Sequence, residues 1–150
     1  MDIIIGIDIE TTAPKLFEAL TTASGIAAWW TKAKTQTAMG AVNEFAFGQG
    51  TVTFRVDKLE PNKAVGWSAE DVPPDWKGTR VLFELSDGAQ VGAVTLRFSH
   101  AGFAAMTPVV AFTNYAWAQF LRSLKLFLET GIGEPFGSPA SIAAGTTPRR

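Results

Sequence analysis

The chain has no cysteine, one histidine (His100) and one tyrosine (Tyr115) in 150 residues. Without thiols it can form neither a disulfide nor a thiolate nucleophile. A lone imidazole falls short of the several nitrogen or sulfur ligands that a zinc site requires, so no metal and no cofactor is expected. Neither sign of charge is in excess: 13 Lys and Arg face 14 Asp and Glu, a net of −1. The basic stripe of a nucleic-acid binder is missing. No apolar run approaches the roughly 18 residues of a membrane span. The opening Met1-Asp2-Ile3-Ile4-Ile5-Gly6 lacks the basic start and the apolar length of a secretion signal, and a cytoplasmic protein is expected.

Aromatic residues are what the chain has in quantity, with 11 Phe and 5 Trp. That is more ring surface than a core of this size strictly requires. The length suits one domain. Such a domain buries roughly 68–70% of the surface its unfolded chain exposes, which leaves room for a core and an internal pocket.

Ile3, Ile5, Ile7 and Ile9 alternate with Ile4, Gly6, Asp8 and Glu10, the period of a half-buried strand. Thr11-Thr12-Ala13-Pro14 signals a helix start, with Leu16, Phe17 and Leu20 on one face to about Thr22. Ser24 is expected to cap a second short helical turn ending at Trp29-Trp30, and residues 31–40 read as a loop. A meander of strands follows. Phe45 and Phe47 share a face over roughly 41–47, and Gly48-Gln49-Gly50 turns the chain into Val52, Phe54 and Val56. Val65 and Trp67 mark a short strand, residues 69–78 a long loop with Pro73-Pro74 and Trp76, and Val81, Phe83, Leu85 and then Val94, Leu96, Phe98 two further strands. After His100 the period becomes 3.6: Met106, Val110, Thr113, Trp117, Leu121, Leu124 and Leu128 line one face of a helix over about Pro108–Thr130, flanked by Phe120 and Phe127, with Gly131 as its C-cap. Residues 137–150, rich in Gly, Ser, Ala, Thr and Pro, are expected to form a disordered tail beyond a domain at 1–136. A strand, two short helices, a strand meander and one long helix make an α+β protein. A helix apolar along its whole inner face needs a partner of equal length, which a strongly curved antiparallel sheet supplies.

Several segments together resemble one superfamily. Ile7-Asp8-Ile9, Thr12-Ala13-Pro14 and Phe17-Glu18-Ala19-Leu20-Thr21 resemble the opening strand and helix of START-like proteins, and Trp29-Trp30 after Ile26 resembles the Trp pair that follows. Leu59-Glu60-Pro61 with Val65-Gly66-Trp67, the segment Phe98-Ser99-His100-Ala101-Gly102-Phe103, and Trp117 with Leu121 and Leu124 are similar to the later motifs, in the same order over about residues 3 to 130. The chain thus resembles the START-like/Bet v 1-like (SRPBCC) superfamily, in the branch of the activator of Hsp90 ATPase homologue. Two departures are a single proline at Glu60-Pro61, where two are common, and Ala116 where Gly usually precedes the helix Trp. The resemblance implies a helix-grip fold with a cavity between sheet and long helix, in members that bind or process apolar molecules such as lipids, sterols and polyketides.

The expected function is binding of an apolar or aromatic small molecule without catalysis. Phe47, Phe54, Trp67, Phe83 and Trp117 are expected to point at the helix, as pocket lining or as ordinary core. Trp30 and Trp76, with Trp29, sit at loop edges and could form the mouth of a cavity or seal it. Thr113 and Asn114 could each give a ligand an oriented hydrogen bond; for Thr113 the alternative is a bond back to a helical carbonyl. His100 is either a ligand or catalytic contact or, as the simpler reading, a turn residue that hydrogen-bonds the loop before the last helix. A cyclase-like or aromatase-like enzyme would need His100, Glu44, Arg55 and Thr113 to meet in the cavity. A chaperone-regulating module is the third reading, by analogy with the branch. Phe112, Tyr115 and Leu126 on the outward side of the helix leave a homodimer open.

Overall fold

Ile3–Glu10 forms strand β1, with Ile3 and Ile9 buried and Ile4, Gly6 and Asp8 facing out, as the alternation requires. The computed structural model describes residues 1–148; the terminal Arg149-Arg150 lies outside the described residues. Thr12 caps α1 (Ala13–Thr21) by accepting from the Lys15 amide, and Pro14 sits in the first turn, where no amide partner is needed. Helix α2 (Ala23–Trp29) begins before Ser24. Thr22 is its cap, accepting from the Gly25 amide at 3.0 Å. The Trp29 indole nitrogen donates to the Ala19 carbonyl at 2.8 Å and locks α2 onto α1.

The segment read as a loop at 31–40 contains a two-residue strand, β2 (Ala33–Lys34). It is followed by β3 (Val42–Phe47), β4 (Gly50–Glu60), β5 (Ala64–Ala69), β6 (Arg80–Asp87) and β7 (Ala93–Ala101). These strands form one antiparallel sheet in the order β1-β7-β6-β5-β4-β3-β2. The β4–β5 register shifts at Asp57. There Asp57 takes both Arg80 bonds, Nε to Oδ2 and Nη2 to Oδ1 at 2.8 Å each, and the Ser68 hydroxyl at 2.5 Å. Burial alone would raise the Asp57 pKa; the Arg80 and Ser68 hydrogen bonds hold it below the ordinary carboxylate value. Gly66 makes room for the pair, since a Cβ there would lie 2.5 Å from Asp57 Oδ1 and from Arg80 Nη2.

The long helix α3 runs Pro108–Thr130, 23 residues and about 35 Å. Thr107 caps its start and Gly131, at φ 89°, its end. Val110, Thr113, Trp117, Leu121 and Leu124 are buried against the sheet, joined by Phe120 and Ser123. Met106 departs from the expected face: it precedes the helix and is 52% exposed. The curved sheet closing on this helix is the helix-grip fold.

Residues 137–150 were expected as a disordered tail. Instead Pro139–Ala144 forms α4, capped by the Ser138 hydroxyl, which accepts from the Ser141 amide. A composition poor in large apolar groups normally cannot order a segment. Here the hydroxyls satisfy one another: Ser141 Oγ lies 2.6 Å from Thr146 Oγ1 and 2.7 Å from Thr147 Oγ1, and Thr147 accepts from the Gly137 amide. Tyr115 ties the segment to α3 by donating to the Ala144 carbonyl at 2.5 Å.

The segment is anchored where it leaves α3. Ser123 Oγ donates to the Trp29 carbonyl at 2.8 Å and accepts from the Glu134 amide at 2.6 Å. A Cβ on Gly133 would lie 2.3 Å from the Ala28 carbonyl oxygen and 3.1 Å from Ser123 Oγ. That carbonyl is backbone and cannot swing aside. Gly133→Ala is therefore expected to destabilise the protein by about 1–3 kcal/mol, the usual range for overpacking, read as a lower urea midpoint at unchanged m. An unchanged midpoint would contradict the close approach.

Candidate functional site

Trp30 follows α2 and enters the core, only 2% exposed. Its ring meets five others. Trp67 stacks on it at 5.9 Å and 10°, Trp29 at 5.9 Å and 20°, while Phe45, Phe47 and Trp117 approach to 4.7, 5.4 and 4.8 Å. Such ring pairs add to the burial of their large apolar surface. Phe54 and Phe83 continue the cluster, each fully buried, with Phe83 edge-on to Trp67 at 5.0 Å.

A polar relay crosses the cluster. The Trp117 indole N–H donates to His100 Nδ1 at 3.1 Å. The Thr79 hydroxyl donates to the Trp76 carbonyl at 2.6 Å, so it can only accept from His100 Nε2, 2.9 Å away. An indole cannot accept in return. The two partners thus fix His100 as the neutral tautomer with its proton on Nε2. Burial pushes its pKa down to about 3. From Trp76 the relay returns to the helix: its indole N–H donates to Thr113 Oγ1 at 3.1 Å, and the Thr113 hydroxyl donates to the Val109 carbonyl at 2.8 Å.

Beside this relay, along the N-terminal half of α3, lies a cavity of about 300 Å³. Its wall is almost wholly apolar. Among the described residues no charged side chain lines it, and its two polar side chains, Thr113 and Thr146, already donate their hydroxyl hydrogens to backbone carbonyls.

Of the candidate site residues, Trp30, Phe47, Trp76, Thr113 and Trp117 come together in that wall. Phe54, Trp67 and Phe83 do not; they are core beneath it, fully packed by neighbouring rings. Asn114 is exposed, because one residue beyond Thr113 turns it away from the sheet. His100 is not a turn residue. It lies within β7, fully buried, and its one acceptor nitrogen is taken by Trp117. Glu44 and Arg55 are exposed, with Arg55 bonded to Glu70 and the Gly40 carbonyl, so the four groups of the cyclase-like reading do not converge.

The sequence reading missed Val52, Pro73, Ala116 and Phe120 in the wall, and also Phe112, Phe136, Thr146 and Pro148. Helical spacing could have found two of them, since 113, 116, 117 and 120 share one face. Phe112, read as pointing outward, is 52% exposed and borders the cavity. The last three lie in or next to the segment read as tail.

Among the described residues no helix is long and apolar enough to cross a membrane. The sequence profile of the family described as Activator of Hsp90 ATPase homolog 1-like protein matches residues 10–129. The solution structure of the Aha1 dimer from Colwellia psychrerythraea is similar at 36% identity and a TM-score of 0.81, over 89% of this chain and 99% of that one. DynU16, from the dynemicin biosynthetic locus, is similar at 25% identity and a TM-score of 0.74, over 88% of this chain and 48% of its own. CalU16 from Micromonospora echinospora shares the fold at 19% identity and a TM-score of 0.69, over 97% and 81%. No curated protein is significantly similar. With a profile match over most of its length and the helix-grip architecture, this chain belongs to the Activator of Hsp90 ATPase homolog 1-like family of the START-like (SRPBCC) superfamily.

Proposed function

We propose that the protein binds an uncharged apolar or aromatic small molecule, without catalysing its conversion, in the cavity between α3, β3–β4 and Trp76. The single observation that carries this reading is the wall: rings from Trp30, Phe47, Trp76, Trp117 and Phe120 around about 300 Å³, with no charged side chain among the described residues and with both hydroxyls already committed. A charged ligand entering such a space would lose its hydration without compensation. A neutral planar ring would exchange water for aromatic faces.

The test uses N-phenyl-1-naphthylamine, whose absorption overlaps tryptophan emission. Trp30 and Trp117 line the cavity, so saturable binding should quench tryptophan emission as the probe's own emission rises. Trp117→Leu should weaken the quenching more than the exposed substitution Asn114→Ala. No saturable signal, together with no apolar compound released from the purified protein in native mass spectrometry, would refute the reading.

A second reading has support of a different kind. The family description names an Hsp90 ATPase activator homologue, and the relative at 36% identity is a dimer. On that reading the chain regulates an Hsp90-type chaperone and self-associates. Phe112 and Tyr115 are 52% and 45% exposed on α3 and would suit an interface. Acceleration of a purified chaperone's ATPase, and a doubled mass in light scattering, would favour it; an unchanged rate and a monomeric mass would exclude it.

A further inference from the structure

The cavity and a second space have three wall residues in common, two of them a pair of rings in contact. An outer cleft of about 930 Å³ lies between the β3–β4 turn and the segment that carries α4. Cavity and cleft share Phe47, Phe136 and Pro148 in their walls. Phe47 and Phe136 meet edge to face, 5.2 Å between centroids and 87° between planes. The two spaces differ in chemistry. The cavity is apolar, whereas Gly48, Gln49, Gly137 and Thr147 bring backbone and side-chain polar groups to the cleft.

The two rings come from separate parts of the chain. Phe47 is the last residue of β3 before the turn. Phe136 is held by its backbone, its amide donating to the Trp30 carbonyl at 2.7 Å. Both side chains are half-buried apolar groups packed against the core, Phe47 also meeting Trp30 at 5.4 Å. Phe136 also lies outside the residues that match the family profile, 10–129, so this wall is supplied by the chain's own C-terminal segment.

We propose that Phe47 and Phe136 are specificity-determining residues that close the apolar cavity at its outer end and limit it to compact ligands. This rests on the binding reading above. Without the pair, cavity and cleft form one elongated site. Such a site accepts a neutral ligand with an apolar ring at the inner end and a longer chain reaching the more polar cleft.

The experiment compares 1-methoxynaphthalene with 1-octyloxynaphthalene on the full chain, on Phe136→Ala and on Phe47→Ala, following tryptophan quenching. The wild type should favour the methoxy compound. Each methylene that becomes buried adds about fourfold in affinity, so a chain entering the cleft by two carbons raises the octyloxy-to-methoxy ratio roughly fifteenfold in both variants. Cooperative thermal unfolding shows that each variant is folded. The wild-type length preference kept in both would overturn the proposal. A shift in Phe136→Ala alone would also overturn it, because the C-terminal segment and not the ring pair would then be the barrier. Failure of both compounds to bind any form would refute the binding reading itself.

Discussion

Acidification from about pH 7 to about pH 4.5 is expected to destabilise the folded protein through one residue, His100. Its ordinary pKa is 6.5, and burial lowers it to about 3 in the fold. The unfolded chain therefore takes up a proton that the folded one refuses. Above pH 6.5 the full contribution is present; as the pH falls from there toward 3, it is lost at about 1.4 kcal/mol per unit. Over the whole interval the loss is on the order of 5 kcal/mol, a large share of a typical domain's stability. The hydrogen bonds act in the same direction. A second proton would go to Nδ1, where the Trp117 N–H already points.

Carboxylates contribute further down the scale. Asp57 is held low despite burial by Arg80 and Ser68, and Glu129 by Lys125 and the Glu10 amide. Their ordinary values are 3.8 and 4.5, so their contributions are lost only as the pH drops below those values. The interval between 4.5 and 6.5 isolates His100. Urea midpoints measured across it should fall steeply for the wild type. They should stay nearly level for His100→Gln, whose amide can accept from Trp117 and donate to Thr79 without titrating. Parallel curves would show that His100 is not the cause.

Trp30→Ala is expected to cost about 3–5 kcal/mol, the range for removing a large buried aromatic. The ring is 2% exposed and meets Trp29, Phe45, Phe47, Trp67 and Trp117, so its removal leaves a void that no single neighbour can fill. Trp30→Phe keeps part of the contact and should cost less. The measurement is again the urea midpoint at constant m. A loss below about 1 kcal/mol for the alanine variant would mean that the cluster collapses freely into the gap, and would contradict close packing there. The same void adjoins the cavity that Trp30 lines, so on the binding reading the alanine variant should also change the affinity for N-phenyl-1-naphthylamine.

The fold was largely legible because its signals are local and repeated. Four isoleucines at period two, and a helix with Val110, Thr113, Trp117, Leu121 and Leu124 on one stripe, leave few alternatives. The site was only half legible. Alternation tells which face of a strand is inward, but not whether the inward side chain meets another ring or a space. Phe47 and Phe54 read alike, yet Phe54 is fully buried and Phe47 lines a cavity. What separates them is a tertiary fact: Phe45, Trp67, Trp76 and His100 close around Phe54, whereas among the described residues Phe47 meets only the rings of Trp30 and Phe136. His100 was misplaced because the strand was marked only by Val94, Leu96 and Phe98, whose alternation continues to position 100; pairing with Ile3 and Val81 carries β7 through it. The C-terminal segment was misjudged because its order comes from hydroxyls bonded to one another and from one tyrosine on a different helix. Composition cannot report either.

The relay through His100 has a consequence for how the long helix is seated. It leaves α3 at Trp117, passes through β7 and the loop before β6, and returns to α3 at Thr113, one turn away. An aliphatic stripe alone would let such a helix slide lengthwise with little change in burial. Sliding by a turn here would strand an indole donor at each end of the circuit, and a stranded buried donor is costly. The relay thus acts as a key in a slot: it permits one axial position of the helix on the sheet and penalises its neighbours.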